Sequence, residues 1–281
     1  HVVAGPETGP EGSMQDEFHA AGVRVTIEPD LCREMSPLRD WRATRALSRL
    51  IGDGGYSLVH THTAKAGILG REAARRAGVP AVHHVHGWSF SGFRGWRRRV
   101  FAALERRAAR SSAALAVVTD RDIRKGLDAG IGHIEQYRLI RAGVDLSRFP
   151  LAGPEERRAA RARLGIAPDE FCVGYVGRLA PQKAPLDLVR AVAAARQHGQ
   201  LRFLLVGDGP MRAETERALH AARLTDSTIQ LGLRRDIEAV LPACDVFASA
   251  SLWEGLPRAL IEAMAVGVPV AATAVDGVAE L

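Results

Sequence analysis

The architecture of this chain follows from one stretch, Phe247-Ala-Ser-Ala-Ser-Leu-Trp-Glu-Gly-Leu-Pro-Arg-Ala-Leu-Ile-Glu-Ala-Met-Ala-Val-Gly-Val-Pro-Val-Ala-Ala-Thr273. The apolar run Val246–Ser249 predicts a buried strand, and Pro257 suits the first position of a helix over 258–266. The apolar side chains of this helix form one stripe, at Leu260, Ile261, Met264 and Ala265. A second buried strand is predicted over 268–272, and the order strand, helix, strand is typical of a parallel α/β sheet.

Two carboxylates lie in this stretch, at Glu254 and Glu262. A helix that starts directly after a strand leaves backbone N–H groups unpaired, and these groups favour an anion such as phosphate. A carboxylate repels phosphate, but it accepts two hydrogen bonds from a vicinal diol. Backbone N–H groups that can bind a phosphate thus lie beside carboxylates that can bind a diol, and this combination predicts a sugar-nucleotide site. The alternative is an ordinary strand–turn–helix whose Glu side chains are solvated.

The segment Glu254-Gly-Leu-Pro-Arg-Ala-Leu-Ile-Glu-Ala-Met-Ala-Val-Gly-Val-Pro-Val270 resembles the signature of glycosyltransferase family 4, two Glu residues eight positions apart. That resemblance implies a retaining, metal-independent enzyme with the α/β GT-B fold, in which two Rossmann-like, doubly wound domains face a cleft. It also implies that Glu254 and the N–H groups of Gly255 and Leu256 hold the sugar hydroxyls. Glu262 would bind the ribose diol. The UDP- or GDP-linked sugar is then a substrate, and no cofactor or metal is expected.

A second loop carries two cations in Gly177-Arg-Leu-Ala-Pro-Gln-Lys183. Arg178 can bind a phosphate through two parallel N–H bonds, and Lys183 adds a compact positive charge. The segment resembles the family's G-R-L-x-x-x-K-G, whose Arg and Lys bind the donor diphosphate, although Ala184 replaces the last Gly. The alternative is two surface cations on a loop.

A third loop, Val206-Gly-Asp-Gly-Pro210, follows another predicted strand. Gly207 and Gly209 lack the third Gly of a dinucleotide fingerprint, and the chain contains no Walker A sequence, which disfavours an NTPase. The segment resembles the family's V-G-x-G-P, which lines the nucleotide pocket. We expect backbone groups of 231–233, including those of Leu233, to recognise the base.

Strands alternate with helices in two series, which predicts two domains. The first predicted domain, over 1–142, is on the acceptor side, and the second, over 143–281, binds the donor. The irregular segment 140–150 joins them. Compared with the family, we expect the first strand, its Gly-rich loop and the closing C-terminal helices to lie outside this chain.

Imidazoles concentrate at two neighbouring predicted strands, in His60-Thr-His62 and His83-His-Val-His86. The first of these strands is predicted over 57–60. Histidine is a common metal ligand, so a metal site is one interpretation. No carboxylate or Cys at ligand spacing completes it, and the sequence therefore predicts no metal.

The resemblance gives these imidazoles another role. Val85-His86-Gly87 resembles the family's H-G at a strand end, which implies that this His approaches the transferred sugar. The block 60–71 resembles a subgroup that builds cell-surface polysaccharides. For His60, His62 and Lys65, structural and acceptor-side roles stay open.

Asp120-Arg-Asp122 is a D-x-D, the metal signature of the other major glycosyltransferase fold. It follows Thr119 at a predicted helix start, where Thr and Asp side chains cap N–H groups, so we interpret it as a cap.

Charge is uneven along the chain. Residues 1–150 hold 23 Lys and Arg against 16 Asp and Glu, a balance of +7, and the remainder has a balance of −1. The helix predicted within 94–110 has seven Arg, one acidic residue and an apolar stripe formed by Trp96, Val100, Phe101 and Leu104. This pattern favours peripheral contact with an anionic membrane, or a core helix with one solvated face. No nucleic-acid motif accompanies the charge.

Composition excludes several other classes. The chain of 281 residues is 47% hydrophobic, enough for two cores, yet it has no apolar run of membrane-spanning length and no signal-peptide pattern. Cys32, Cys172 and Cys244 are scattered, which predicts neither a disulfide framework nor a zinc site. We expect a cytoplasmic protein, with peripheral contact at the inner face of the membrane.

Together these patterns predict transfer of a hexosyl group from a nucleotide-sugar to a lipid-linked or saccharide acceptor, in cell-surface polysaccharide or glycolipid synthesis. The residues implied to carry catalysis are Glu254, His86, Arg178 and Lys183. The alternatives are a non-catalytic nucleotide-sugar-binding fragment and a GT-B sugar-nucleotide epimerase.

Overall fold

The computed structural model describes residues 1–7, 13–32 and 34–281. The chain divides into two compact units, an N-terminal unit His1–Arg141 and a C-terminal unit Ala142–Leu281. Strands alternate with helices in both units, and every strand pairing formed by the described residues is parallel. The predicted α/β class with parallel sheets is confirmed.

The N-terminal unit contains a four-stranded sheet of order β3-β4-β5-β6 and a separate pair, β1 with β2. Its elements are β1 (Val2–Ala4), α1 (Gln15–Ala20), β2 (Val25–Ile27), α2 (Pro37–Asp53), β3 (Val59–His62), α3 (Ala64–Ala77), β4 (Ala81–Val85), α4 (Gly95–Ala109), β5 (Ala114–Val117), α5 (Asp120–Asp128) and β6 (Tyr137–Leu139).

The C-terminal unit is built on one five-stranded sheet of order β11-β10-β7-β8-β9. Its elements are α6 (Pro154–Leu164), β7 (Phe171–Val176), α7 (Pro185–Arg196), β8 (Leu201–Val206), α8 (Arg212–Ala221), β9 (Thr228–Gly232), α9 (Ile237–Val240), β10 (Val246–Ser249), α10 (Arg258–Ala265) and β11 (Val270–Ala272). The chain adds β8 and β9 on one side of β7, then returns to add β10 and β11 on the other. The strand order therefore reverses between β7 and β10, and ligands bind at such a switch point in open α/β sheets.

Both faces of the C-terminal sheet are covered by helices, and successive side chains of its strands point alternately into the two apolar clusters. Cys172 and Leu204 enter one apolar cluster with residues of α6 and α10, whereas Val173 and Phe203 enter another with residues of α7 and α8. A parallel strand buried on both faces is a continuous apolar run, and β7 and the part of β8 from Phe203 onward have such sequences.

In the N-terminal unit, α3 packs very closely on β3 and β4. A Cβ atom placed on Gly67 would lie 2.3 Å from the ring of His83, and one on Gly70 would lie 2.8 Å from a methyl group of Thr61. Both glycines are needed because larger side chains would push the helix away from the sheet. His83 and Thr61 are consequently buried under α3.

A buried ion pair joins α3 to α4. The Arg71 guanidinium donates to Glu105 at 2.6 Å, and both side chains are almost completely buried, with 0% and 2% exposure. Arg71 also donates to the Gly67 carbonyl at 2.8 Å, while the Ser89 hydroxyl donates to Glu105 at 3.3 Å. The sequence patterns did not reveal this network, because one Arg and one Glu among many charges look solvated.

Several sequence expectations differ from the structure. The strand predicted over 57–60 is Val59–His62, because its ladder with β4 starts where the Val59 N–H donates to the Pro80 carbonyl, 3.0 Å away. Pro257 is the residue before α10 rather than its first residue, and Met264 is 47% exposed instead of buried. The short elements α1 and β6 were not predicted; none of the residues of α1 is buried, so its sequence has no core stripe to recognise.

Within the described residues, no helix combines the length and apolarity needed to cross a bilayer.

Candidate functional site

The C-terminal unit brings two predicted site residues into direct contact. Lys183 lies in the loop after β7 and Glu254 in the loop after β10, and Lys183 Nζ donates to Glu254 Oε1 at 2.5 Å. Glu254 is only 7% exposed. The pair therefore lies at the carboxyl ends of the two strands that flank the reversal of strand order, where the fold positions ligands.

Two residues that the sequence patterns missed hold this pair in place. Gln182 accepts from the Leu252 N–H at 2.8 Å through its carbonyl, and its side-chain amide donates to the Trp253 carbonyl at 2.9 Å. The Asp276 carboxylate accepts from the Glu254 N–H at 3.0 Å. The loops after β7, β10 and β11 are thus tied together by polar contacts. Gln182 adjoins Lys183 in sequence, and that adjacency was the available signal.

Two residues beside this pair have a left-handed backbone conformation. The φ of Asp276 is +43°, and that of Ala184, which stands at the last Gly of G-R-L-x-x-x-K-G, is +45°. Asp tolerates this conformation better than most residues.

Arg178 begins the same loop as Lys183. Its side chain is exposed, and its backbone carbonyl accepts from the Tyr175 hydroxyl at 3.2 Å. Burial raises the pKa of Tyr175, and the nearby charge of Glu254 adds to that effect. The phenol stays protonated at neutral pH and can hold the backbone of Arg178.

Gly207 and Gly209 allow the loop after β8 to lie against the loop after β7. A Cβ atom on Gly207 would lie 1.9 Å from the Gly177 carbonyl oxygen, and one on Gly209 would lie 2.5 Å from that of Leu179. Their φ angles are +131° and +156°, which side chains disfavour. Close packing of two loops is therefore sufficient reason for both glycines, and a role in nucleotide binding stays a prediction.

Glu262 lies in α10, two turns beyond Glu254. Burial raises the pKa of the Glu262 carboxyl, opposed by the charges of Arg258 and Arg148. The Arg258 guanidinium is 3.5 Å away. The other predicted donor-site residues occupy surrounding loops: Gly255 and Leu256 are buried before α10, and Leu233 is 52% exposed after β9.

In the N-terminal unit, four imidazoles share one face of β3 and β4. His62 is the last residue of β3 and His86 directly follows β4, as expected for strand ends, whereas His60 and His84 lie inside the strands. Alternation places all four rings on the face opposite Thr61 and α3. His62 Nδ1 is 2.9 Å from His86 Nε2, and the ring centroids of His84 and His86 are 4.4 Å apart.

The surroundings of His62, His84 and His86 favour neutral imidazoles. Burial lowers the pKa of His62, His84 and His86, and the repulsion between neighbouring rings lowers it further. On the other face, burial lowers the pKa of His83 to about 3. Lys65 forms an ion pair with Asp40 at 2.5 Å and donates to the Glu34 carbonyl, which favours a structural role for this lysine.

The D-x-D segment is a helix cap, as its sequence context predicts. The Thr119 hydroxyl accepts from the Asp122 N–H at 2.9 Å and donates to the Asp122 carboxylate at 2.7 Å. Asp122 is buried, while Asp120 forms an ion pair with Arg141.

The basic helix α4 is divided along its length. Of the two interpretations of its apolar stripe, packing on the core does not hold for Trp96 and Val100, which are 69% and 40% exposed, whereas Glu105, Ala108 and Ala109 are buried. The amino-terminal half therefore presents apolar and Arg side chains to solvent, and the carboxyl-terminal half packs on the core.

Comparison with known proteins identifies the class. The model of the "Glycosyl transferase 4-like domain" matches residues 1–143, and that of "Glycosyl transferases group 1" matches residues 170–281. The chain is 34% identical over 277 residues to the UDP-Gal:alpha-D-GlcNAc-diphosphoundecaprenol alpha-1,3-galactosyltransferase of Escherichia coli, covering 96% of this chain and 70% of that protein. It is 32% identical over 264 residues to the putative glycosyltransferase EpsF of Bacillus subtilis, covering 92% and 67%.

Among solved structures, Anabaena Alr3699/HepE in complex with UDP-glucose superposes with a TM-score of 0.83 at 23% identity, covering 99% of this chain and 82% of that one. WaaG, a glycosyltransferase involved in lipopolysaccharide biosynthesis, superposes with a TM-score of 0.74 at 18% identity, covering 100% and 83%. The chain belongs to glycosyltransferase family 4, with the GT-B fold. It is a sugar transferase by class.

Proposed function

We propose that this chain transfers a hexosyl group, with retention of configuration, from a UDP-sugar to a lipid-linked saccharide. One observation carries the proposal: the ion pair between the partly exposed Lys183 and the buried Glu254, at the reversal point of the C-terminal sheet. The names of relatives support the substrate classes, since one acts on a diphosphoundecaprenol-linked sugar and a structural neighbour contains UDP-glucose.

The donor diphosphate would be held by Arg178 and Lys183. An ammonium group has three N–H donors, so the bond from Lys183 to Glu254 leaves capacity for phosphate oxygens. These cations would stabilise the charge that develops on the departing nucleotide. Glu254 both orients Lys183 and offers an acceptor for a sugar hydroxyl.

The remaining donor contacts follow from position. Glu262 would accept from the ribose diol, and the N–H groups of Gly255 and Leu256 would hold the sugar hydroxyls. Gly207, Gly209 and Leu233 would line the nucleotide pocket. These groups need no cofactor. Retention would result from attack by the acceptor on the face that the nucleotide leaves, and His86 would approach the transferred sugar.

Peripheral contact with an anionic membrane would place a lipid-linked acceptor within reach. The amino-terminal half of α4 supports this contact, since Trp96 and Val100 are exposed among Arg97, Arg98 and Arg99. Such surfaces bind the headgroup region through partly buried apolar side chains and Arg charges. The proposed location is the cytoplasmic face of the membrane.

Variants of the central pair test the proposal. The two variants are Lys183→Met and Glu254→Gln. Calorimetry measures their affinity for UDP, and a turnover assay over a panel of UDP- and GDP-sugars measures sugar transfer. Lys183→Met removes a charge-assisted hydrogen bond to phosphate, which is worth about 1.5–3 kcal/mol. We therefore expect this variant to bind UDP about tenfold more weakly, or weaker still. We expect sugar transfer to fall in both variants. The control Arg217→Ala removes an exposed cation of α8 and keeps wild-type behaviour.

Unchanged UDP affinity and transfer in Lys183→Met would refute the assigned roles. Binding of UDP without transfer to any saccharide acceptor would favour the non-catalytic alternative. Conversion of the donor sugar without an acceptor would favour the epimerase.

A further inference from the structure

The imidazole cluster of the N-terminal unit has the geometry of a metal site. Metal-ligating atoms of His60, His62 and His84 all lie within 4.8 Å of one another. Four-coordinate zinc binds imidazole nitrogens at about 2.0–2.1 Å, so its ligand atoms stand roughly 3.3 Å apart. The His60 and His62 rings are exposed, so their side chains have room to rotate toward a common ion.

His84 supplies a second, independent observation. Its Nε2 atom is buried and has no hydrogen-bond partner among the described residues. Buried polar atoms are almost always paired, so an unpaired imidazole nitrogen in this position is open to bind an ion or a water molecule. The orphaned atom belongs to the same three-residue cluster.

The contact between His62 and His86 matches the support that metal-binding imidazoles require. A ligating imidazole binds the ion through one nitrogen and uses the other for a hydrogen bond that fixes the ring. His62 Nδ1 lies 2.9 Å from His86 Nε2, which leaves His62 Nε2 for the ion. His86 would then hold the ring of His62 in place and would not itself bind the ion.

We propose that His60, His62 and His84 bind one divalent transition-metal ion of the zinc class, with the fourth position open to water or an exogenous ligand. Imidazole nitrogens select zinc, copper and nickel, whereas magnesium and manganese prefer oxygen ligands. The sequence counted against a metal because no carboxylate or Cys completes the set, yet three imidazoles and a water form a complete zinc site. The proposal is argued from residues of the N-terminal unit alone, and zinc binding is measured without sugar transfer.

Competition titration with a chromophoric zinc chelator tests the site on the full chain. We expect one Zn²⁺ per chain, no competition from Mg²⁺, and a tetrahedral visible absorption spectrum with Co²⁺. Loss of an outer-shell partner alone weakens metal binding about 10–100-fold, so His60→Ala and His84→Ala should each weaken it at least tenfold.

The control is His198→Ala, which removes an exposed imidazole from the C-terminal unit and should leave zinc affinity unchanged. His60→Ala replaces an exposed ring, and circular dichroism confirms that this variant is folded. Zinc binding that is equal in the wild type, His60→Ala and His198→Ala would overturn the proposal and identify an adventitious ion only.

Discussion

At the scale of single residues, Glu262 shows how burial of a carboxyl group lowers the stability of the fold. Its carboxyl is mostly buried, with 13% side-chain exposure, and burial raises its pKa despite Arg258 nearby. Because Arg258 is 67% exposed, its attraction is screened by water, and desolvation is the larger effect. A partly desolvated carboxylate is a strong acceptor for a diol, which is the role proposed for Glu262.

We expect Glu262→Gln to stabilise the fold at neutral pH and to weaken UDP binding. The folded pKa lies above the unfolded value, so wild-type stability falls as pH rises through these values, and the penalty is complete at neutral pH. Thermal denaturation should therefore give a higher Tm for Glu262→Gln at pH 7 and nearly equal values near pH 3. The exposed control Glu214→Gln should change neither quantity. A lower Tm at pH 7, or unchanged UDP affinity, would contradict this account.

At the scale of elements, the donor site depends on how closely loops and helices pack. The loops after β7 and β8 touch through backbone atoms, and α3 rests on β3 and β4 through glycines. The sequence motifs gave Gly207 and Gly209 a ligand-binding interpretation, but a Cβ atom at either position would meet backbone atoms of the loop after β7. A substitution at these glycines is therefore expected to change the stability of the fold whether or not the position contacts a ligand.

Gly207→Ala should destabilise the C-terminal unit strongly. A residue with a side chain at a φ of +131° carries strain of about 1–3 kcal/mol, and the added Cβ would meet the Gly177 carbonyl at 1.9 Å. We expect urea unfolding to show a loss at or above that range. Gly199→Ala is the matched control, since its Cβ would meet no atom within 4 Å and its φ is not in the left-handed region. Equal stability of the two variants would show that the loops do not pack as described.

The ion pair between α3 and α4 should show strong coupling. Arg71→Met leaves the Glu105 charge buried without its partner, which typically costs about 3–5 kcal/mol. The double variant Arg71→Met with Glu105→Leu removes both charges, and we expect it to be more stable than Arg71→Met alone. Urea unfolding of both single variants and the double variant measures this coupling.

The surface pair Arg75–Glu72 provides the comparison for this cycle. The Arg75 side chain is 55% exposed, so water screens the pair and Arg75→Met should change the free energy of unfolding far less than Arg71→Met does. A double variant less stable than Arg71→Met alone would show that the buried pair is net stabilising.

At the scale of the whole molecule, the two halves of the sequence differ in net charge. The excess of +7 lies within residues 1–150, and the amino-terminal half of α4 concentrates part of it beside exposed apolar side chains. An anionic surface is attracted by such a patch, and salt weakens the attraction.

We expect the chain to sediment with vesicles that contain anionic lipid, and less so at high salt. The triple variant Trp96→Ala, Arg97→Gln, Arg99→Gln should bind roughly 30-fold more weakly, because each Arg contributes about 1 kcal/mol at such a surface. Trp41→Ala, which removes another exposed Trp with an Arg over its ring, should bind as the wild type does. Equal binding of the triple variant, or equal binding to neutral vesicles, would exclude this contact.

The sequence by itself determined the α/β class, most of the strands and helices, and the family, because these depend on local periodicity and on contiguous motifs. It also supplied the chemical groups of the donor site. It could not show that Lys183 and Glu254 form an ion pair, since 71 residues separate them and only the reversal of strand order brings their loops together.

Register was the other feature that required the tertiary structure. A shift of β3 by two residues from its predicted bounds places His60 and His62 inside the ladder, and pairing with β4 then stacks four imidazoles on one face. The positions of Gln182, Asp276 and the buried Arg71–Glu105 pair were likewise set by long-range packing. Contacts between distant segments depend on which strands pair and how closely loops approach, and local sequence patterns carry neither.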